Sequence, residues 1–198
     1  FARYANEYDA VVQITIGANF SCCYQNACAA AQEYENVFVV DSENLSTGQG
    51  LLVVAAAKLA EQGLSGAEIA ERVRALAPKV EASFLIECLD YMRKGGRCSA
   101  VAALGANLLH LKPCIEVRNG KMAVCKKYRG SFEKCIRQYV KERLDGREDI
   151  APELAFITHA AADANVVAAA KEEAAQYGSF ETVEETQAGC TVSCHCGP

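Results

Sequence analysis

The chain has 198 residues, 51% hydrophobic and 23% charged, enough apolar material for one sizeable core or two small ones, which argues against an intrinsically disordered chain. Twenty Lys and Arg against 25 Asp and Glu leave a formal net charge of −5 with no long basic run, so the electrostatic footprint of a nucleic-acid groove is missing. The longest charge-free apolar stretch, Cys98 to Leu111, falls short of the roughly 20 residues that cross a bilayer. Eleven cysteines, odd in number and irregular in spacing, fit a reducing cytoplasm better than a disulfide scaffold, and most are expected to be small buried side chains. Phe1 is no initiator methionine and no leader pattern follows it, while Pro198 ends the chain just after a predicted strand; it reads as cut at both ends.

Asp9 to Ile16 is a β-branched apolar run of strand length, broken by the turn Gly17-Ala18-Asn19-Phe20-Ser21 and followed by a predicted helix from Ser21 to about Tyr34. Val37 to Val40 is the next strand, and Ser46-Thr47-Gly48-Gln49-Gly50 reads as a loop leading into a helix from Leu51 to Ala60. Both strands are apolar almost throughout, the pattern of parallel strands covered on two faces. Ser65 is placed to cap a helix over Gly66 to Ala77 that Pro78 ends. A strand over Ala82 to Glu87, a short helix over Cys88 to Lys94, a break at Gly95-Gly96 and a helix from Ser99 to His110 come next. Asn119-Gly120 between Ile115 to Arg118 and Lys121 to Val124 specifies a two-residue hairpin. Ser131 to Leu144 and Ala164 to Gln176 are predicted helices, and Leu154 to Thr158, Phe180 to Thr186 and Thr191 to Cys194 are predicted strands. Without internal repeat or low-complexity tract, the chain divides into a parallel-sheet α/β/α domain over residues 1–80 and a second α/β domain with a mixed sheet and a β-hairpin over 81–198, with the seam near 78–82.

Three places carry candidate chemistry. The turn Gly17 to Ser21 joins a strand end to a helix start, where free backbone N–H groups can hold an anion, although an ordinary capped turn has the same signature. The Ser46 to Gly50 segment lacks the Lys-Ser/Thr of a phosphate loop and the third glycine of a dinucleotide fingerprint. Arg97 and Arg129 each precede a predicted helix start, and a guanidinium fork there suits a carboxylate, a phosphate or an acidic partner, or is simply a solvated charge. His195 stands between Cys194 and Cys196 near the chain end. That spacing is a poor zinc pattern, and the ring can instead orient a ligand carboxylate or cap its strand.

Taken in order, Leu89-Asp90-Tyr91-Met92-Arg93-Lys94-Gly95-Gly96-Arg97, Leu111-Lys112-Pro113-Cys114-Ile115, Asn119-Gly120-Lys121, Lys127-Tyr128-Arg129-Gly130 and His195-Cys196-Gly197-Pro198 resemble the DegV family of bacterial fatty-acid-binding proteins. Phe20-Ser21-Cys22-Cys23-Tyr24-Gln25-Asn26-Ala27, Val40-Asp41-Ser42 and Ser46 to Gly50 are similar to that family too, so the resemblance spans essentially the whole chain. It implies a two-domain α/β protein, here lacking the beginning of its first domain, that encloses a long-chain fatty acid between its domains. It further implies a non-catalytic carrier without cofactor or metal, which presents the carboxyl group to a separate fatty acid kinase for acyl phosphate formation in phospholipid synthesis. By the same resemblance Gly17, Ala18, Asn19, Ser21 and His195 line the carboxylate site, and Arg97 and Arg129 serve engagement with the kinase. The chain departs from the pattern at Gly17-Ala18, where the family carries Ser-Ser, and at Ser21-Cys22-Cys23, where it carries Ser-Gly-Thr. Two other readings remain: an enzyme acting on a small hydroxylated or phosphorylated substrate, and a metal- or redox-responsive Cys/His module.

Overall fold

A computed structural model describes residues 1–96 and 111–197. Two compact units emerge, one of Phe1–Ala82 with Val117–Met122, the other of Ser83–Glu116 with Ala123–Pro198. The expected helix from Ser99 to His110, together with Arg97 and Cys98, lies outside the described residues.

In the first unit a short helix α1 (Tyr4–Glu7) precedes strand β1 (Val11–Thr15), helix α2 (Cys23–Ala31), strand β2 (Val37–Asp41), and helices α3 (Ser46–Glu61) and α4 (Gly66–Leu76). β1 and β2 pair in parallel, Val11 opposite Val37 through Thr15 opposite Asp41, as their largely apolar runs predict. Ile14, Val40 and Leu52 form the core with Ile69, Ala70 and Val73, the last three from one face of α4. Ser65 caps α4 as expected. Its hydroxyl accepts the Glu68 N–H at 3.4 Å while the Glu68 carboxylate takes the Ser65 N–H at 2.9 Å. The Ser65 hydroxyl, donating to the Glu68 carboxylate at 2.6 Å, and then the Ser65 N–H hold that carboxyl below its ordinary range.

The second unit carries a three-stranded sheet in the order β3-β4-β5, from β3 (Ala82–Leu85), β4 (Leu111–Arg118) and β5 (Lys121–Arg129). The predicted hairpin is present: Asn119 at φ 50 and Gly120 at φ 68 are the two left-handed residues of its tight turn. Helix α5 (Asp90–Lys94) follows β3, and α6 (Phe132–Leu144) follows β5 with the Ser131 hydroxyl accepting the Lys134 N–H. A separate two-stranded sheet pairs β6 (Ala155–His159) with β7 (Val183–Gln187) in parallel around α7 (Ala164–Tyr177), which packs on α6. No helix among the described residues is long and apolar enough to cross a membrane.

Several expectations fail. Thr191 to Cys194 is not a strand: Cys190–Cys196 is helix α8, packed on α5. Thr and Val favour strands only weakly, and packing decides such short segments. Ser46 to Gly50 is not a loop but the opening turns of α3. The helix expected from Ser21 to Tyr34 is shorter, Cys23–Ala31. Nor are most thiols buried. The described cysteines are all free, and only Cys114 and Cys135 are buried while Cys22, Cys23, Cys88, Cys125, Cys190 and Cys194 are exposed.

Candidate functional site

The candidate head-group loop of the first unit lies at the carboxyl ends of two parallel strands, where β1 hands over to α2 and β2 to α3. Such an edge collects backbone N–H groups, yet here most are already committed. The Gly17 N–H donates to the Asn44 carbonyl at 2.8 Å and the Phe20 N–H to the Gly17 carbonyl at 2.9 Å. The Ala18 N–H donates to both oxygens of the Asp41 carboxylate, at 3.1 and 3.3 Å, and the Glu43 N–H reaches the same carboxylate at 2.9 Å. The anion seated in this turn is the protein's own Asp41. Among the described residues no acceptor is seen for the N–H groups of Asn19 and Ser21, and Asn19 is exposed. The Ser21 hydroxyl accepts the Cys23 N–H at 3.2 Å and donates to Cys23 Sγ at 3.1 Å. Gly17, Ala18, Asn19 and Ser21 therefore come together, with Asn19 and Ser21 carrying the donors that remain.

Asn44 organises the loop from behind. Its side chain is 1% exposed; Oδ1 accepts the Leu45 N–H at 3.0 Å and Nδ2 donates to the Val80 carbonyl at 3.3 Å. Its carbonyl takes the Ser42 hydroxyl at 3.0 Å as well as the Gly17 N–H. Glu43 and Ser46 are both held at φ 50, a costly conformation for residues with a Cβ. Gly120 of the hairpin belongs to the same unit, and a Cβ added there would stand 3.1 Å from Asn19 Nδ2. Sequence reasoning assigned no role to Asp41 or Asn44. The signal available for them was a polar Asp-Ser-Glu-Asn run directly after a buried parallel strand.

The second unit holds the other candidates. His195 sits in the last turn of α8, and its Nδ1 is buried without a hydrogen-bond partner among the described residues. Gly95, at the end of α5, makes room for it: a Cβ there would lie 2.1 Å from that nitrogen. An unsatisfied buried ring nitrogen costs about 1–3 kcal/mol in either tautomer. Burial pushes the thiol of the next residue, Cys196, up and keeps it protonated. Among the described residues no three His, Cys, Asp or Glu side chains are grouped to hold a metal ion. Arg129 ends β5, exposed, two residues before Ser131, the cap of α6. Gly17 to Ser21 belong to the first unit, His195 and Arg129 to the second.

A model of the DegV family, described as an uncharacterised protein family, matches residues 1–198. A DegV domain-containing protein of Clostridium acetobutylicum is 32% identical over 201 residues, covering 100% of this chain and 70% of the relative. A fatty acid-binding protein of Thermotoga maritima is 27% identical over 204 residues, covering 100% of this chain and 69% of its own length. Among solved structures, a DegV family protein of Thermus thermophilus described by its fatty acid binding superposes with a TM-score of 0.84 at 27% identity, across 100% of this chain and 72% of that one. The fold is thus an α/β architecture shared with proteins whose names record lipid binding. The chain belongs to the DegV family.

Proposed function

We propose that this chain binds one long-chain fatty acid, holds its carboxylate with Asn19, Ser21 and His195, and presents it to a separate fatty acid kinase that forms the acyl phosphate. The carrier performs no phosphoryl chemistry itself. The observation that carries this reading is His195 Nδ1, a buried polar atom without a hydrogen-bond partner among the described residues, in a chain with a relative and a structural neighbour named for fatty acid binding. Each buried methylene contributes about 0.8 kcal/mol, so a tail of about 14 gains on the order of 11 kcal/mol before ordering costs. The tail supplies affinity, while the head group needs only a few donors to avoid an unpaired buried charge. Free thiols throughout the described residues suit work in a reducing cytoplasm.

Solvent extraction of the purified protein and mass spectrometry should recover a stoichiometric long-chain fatty acid. A lipid-free preparation that takes up none on incubation sinks the reading. The thinned hydroxyl set offers a second check. Ala18→Ser returns one family hydroxyl and is expected to tighten fatty acid binding about threefold to tenfold. Gly17→Ser is expected to weaken the fold instead, because its Cβ would meet the Phe20 ring at 3.0 Å and the Asn44 amide nitrogen at 3.1 Å. Equal behaviour of the two variants in a titration with a fluorescent fatty acid contradicts this account of the loop.

Arg129, exposed and without an ion pair among the described residues, is assigned to the kinase rather than to the lipid. Arg129→Ala should leave lipid retention unchanged and lower acyl phosphate formation in the presence of the kinase about tenfold. Loss of retention in this variant would reassign the residue.

A further inference from the structure

Away from the candidate lipid site, β4, β5 and α6 bring two thiols and a guanidinium together. The two-residue turn sets Arg118 opposite Lys121, and counting back along both strands sets Cys114 opposite Cys125, with side chains on one face of the ladder. Their sulfurs share one nitrogen: Arg143 Nη2 lies 3.1 Å from Cys125 Sγ and 3.8 Å from Cys114 Sγ. The Cys125 thiol also reaches the Cys114 carbonyl at 3.4 Å. Glu116 is the one carboxylate seen on this guanidinium among the described residues, at 3.2 Å. Facing residues of an antiparallel pair stand about 4.5–5.5 Å apart at Cα, inside the span a disulfide bridges.

We infer that Cys114 and Cys125 form a reversible cross-strand dithiol/disulfide pair, in which Cys125 reacts with a small hydroperoxide beside Arg143 and Cys114 closes the bond. Cys125 is the exposed partner and has the Arg143 guanidinium at its sulfur, so a peroxide reaches it and the cation faces the charge that develops as the O–O bond breaks. Its sulfur attacks one peroxide oxygen, the O–O bond breaks, the departing hydroxide leaves as water after taking a proton, and Cys125 becomes a sulfenic acid. The Cys114 sulfur then attacks the Cys125 sulfur. The S–O bond breaks, the S–S bond forms, and the second hydroxide leaves as water with the proton of Cys114. Two thiols are oxidised and one hydrogen peroxide is reduced to two waters. Cys114 is only 1% exposed, so it is shielded from direct attack while remaining within reach of its neighbour. Burial pushes the Cys114 thiol up to about 12, so it stays protonated and leaves the first attack to Cys125.

The test treats the whole chain with a small excess of hydrogen peroxide, blocks remaining thiols by alkylation, and maps linked peptides without reduction. A peptide pair joining Cys114 to Cys125, reopened by dithiothreitol, is the expected product. Cys114→Ser should leave Cys125 trapped as a dimedone adduct at higher yield than the wild type. Cys125→Ser, an exposed and sterically mild change, should abolish oxidation at Cys114. Arg143→Gln should slow modification of Cys125 about threefold to tenfold. Peroxide that links other cysteines while Cys114 and Cys125 both remain alkylatable overturns the proposal, as does oxidation of Cys114 in the Cys125→Ser chain.

Discussion

His195→Ala is expected to weaken fatty acid binding about tenfold to hundredfold while leaving the melting temperature level or slightly raised. The two readouts separate because of where the ring sits. A hydrogen bond to a charged group is worth about 1.5–3 kcal/mol, and its loss falls entirely on the bound state. The same ring carries a buried nitrogen with no hydrogen-bond partner among the described residues, so removing it relieves an unsatisfied group and offsets the packing lost beside Gly95. Gly95→Ala should act in the same direction through geometry. Its Cβ would overlap the ring at 2.1 Å from Nδ1, so either the imidazole swings aside or α5 and α8 separate. Isothermal titration with a long-chain fatty acid, set beside calorimetric melting, checks both variants. A His195→Ala chain that binds as tightly as the wild type removes the histidine from the carboxylate site.

Gly48→Ala should destabilise the first unit by about 1–3 kcal/mol, although helix propensity alone predicts a gain of about 1 kcal/mol. The signs differ, which makes the measurement decisive. Gly48 lies buried in the opening turns of α3 directly beneath Asn44, and a Cβ there would stand 2.1 Å from Asn44 Oδ1 and 2.5 Å from its Cγ. Asn44 cannot yield without releasing the Leu45 N–H and the Val80 carbonyl. At about 2–4 °C per kcal/mol for a chain of this size, the expected fall in melting temperature lies well within calorimetric reach. Asn44→Ala is destabilising alone, but combined with Gly48→Ala it should cost less than the two changes summed, because the clash disappears with the amide. A rise in melting temperature for Gly48→Ala alone contradicts the packing described here.

What was legible from the residues is what short-range chemistry decides. Asn119-Gly120 demands two left-handed residues, and the hairpin is there; Ser65 with Glu68 caps α4; two largely apolar strands pair in parallel. The ordered motifs also placed the chain in its family. Long-range packing was not legible. Thr191 to Cys194 has strand-like composition yet winds into α8 because α5 offers it a surface, and nothing near residue 195 announces a glycine at residue 95. The glycines at 48 and 50 read as loop breakers, whereas Gly48 is small because Asn44 lies over it. The sequence of the loop at Gly17 suits free amides or an ordinary capped turn equally; Asp41 and Asn44, distant in sequence, occupy two of those amides.

That occupancy bears on kinetics. With Asp41 and Asn44 pinning Gly17 and Ala18, the turn is ordered by the chain's own groups, so under the proposed function it adds little ordering cost to fatty acid capture. Capture on that reading requires no rearrangement of this turn, and residence time is governed by withdrawal of the hydrocarbon, so off-rates should fall with each added carbon while on-rates stay nearly flat.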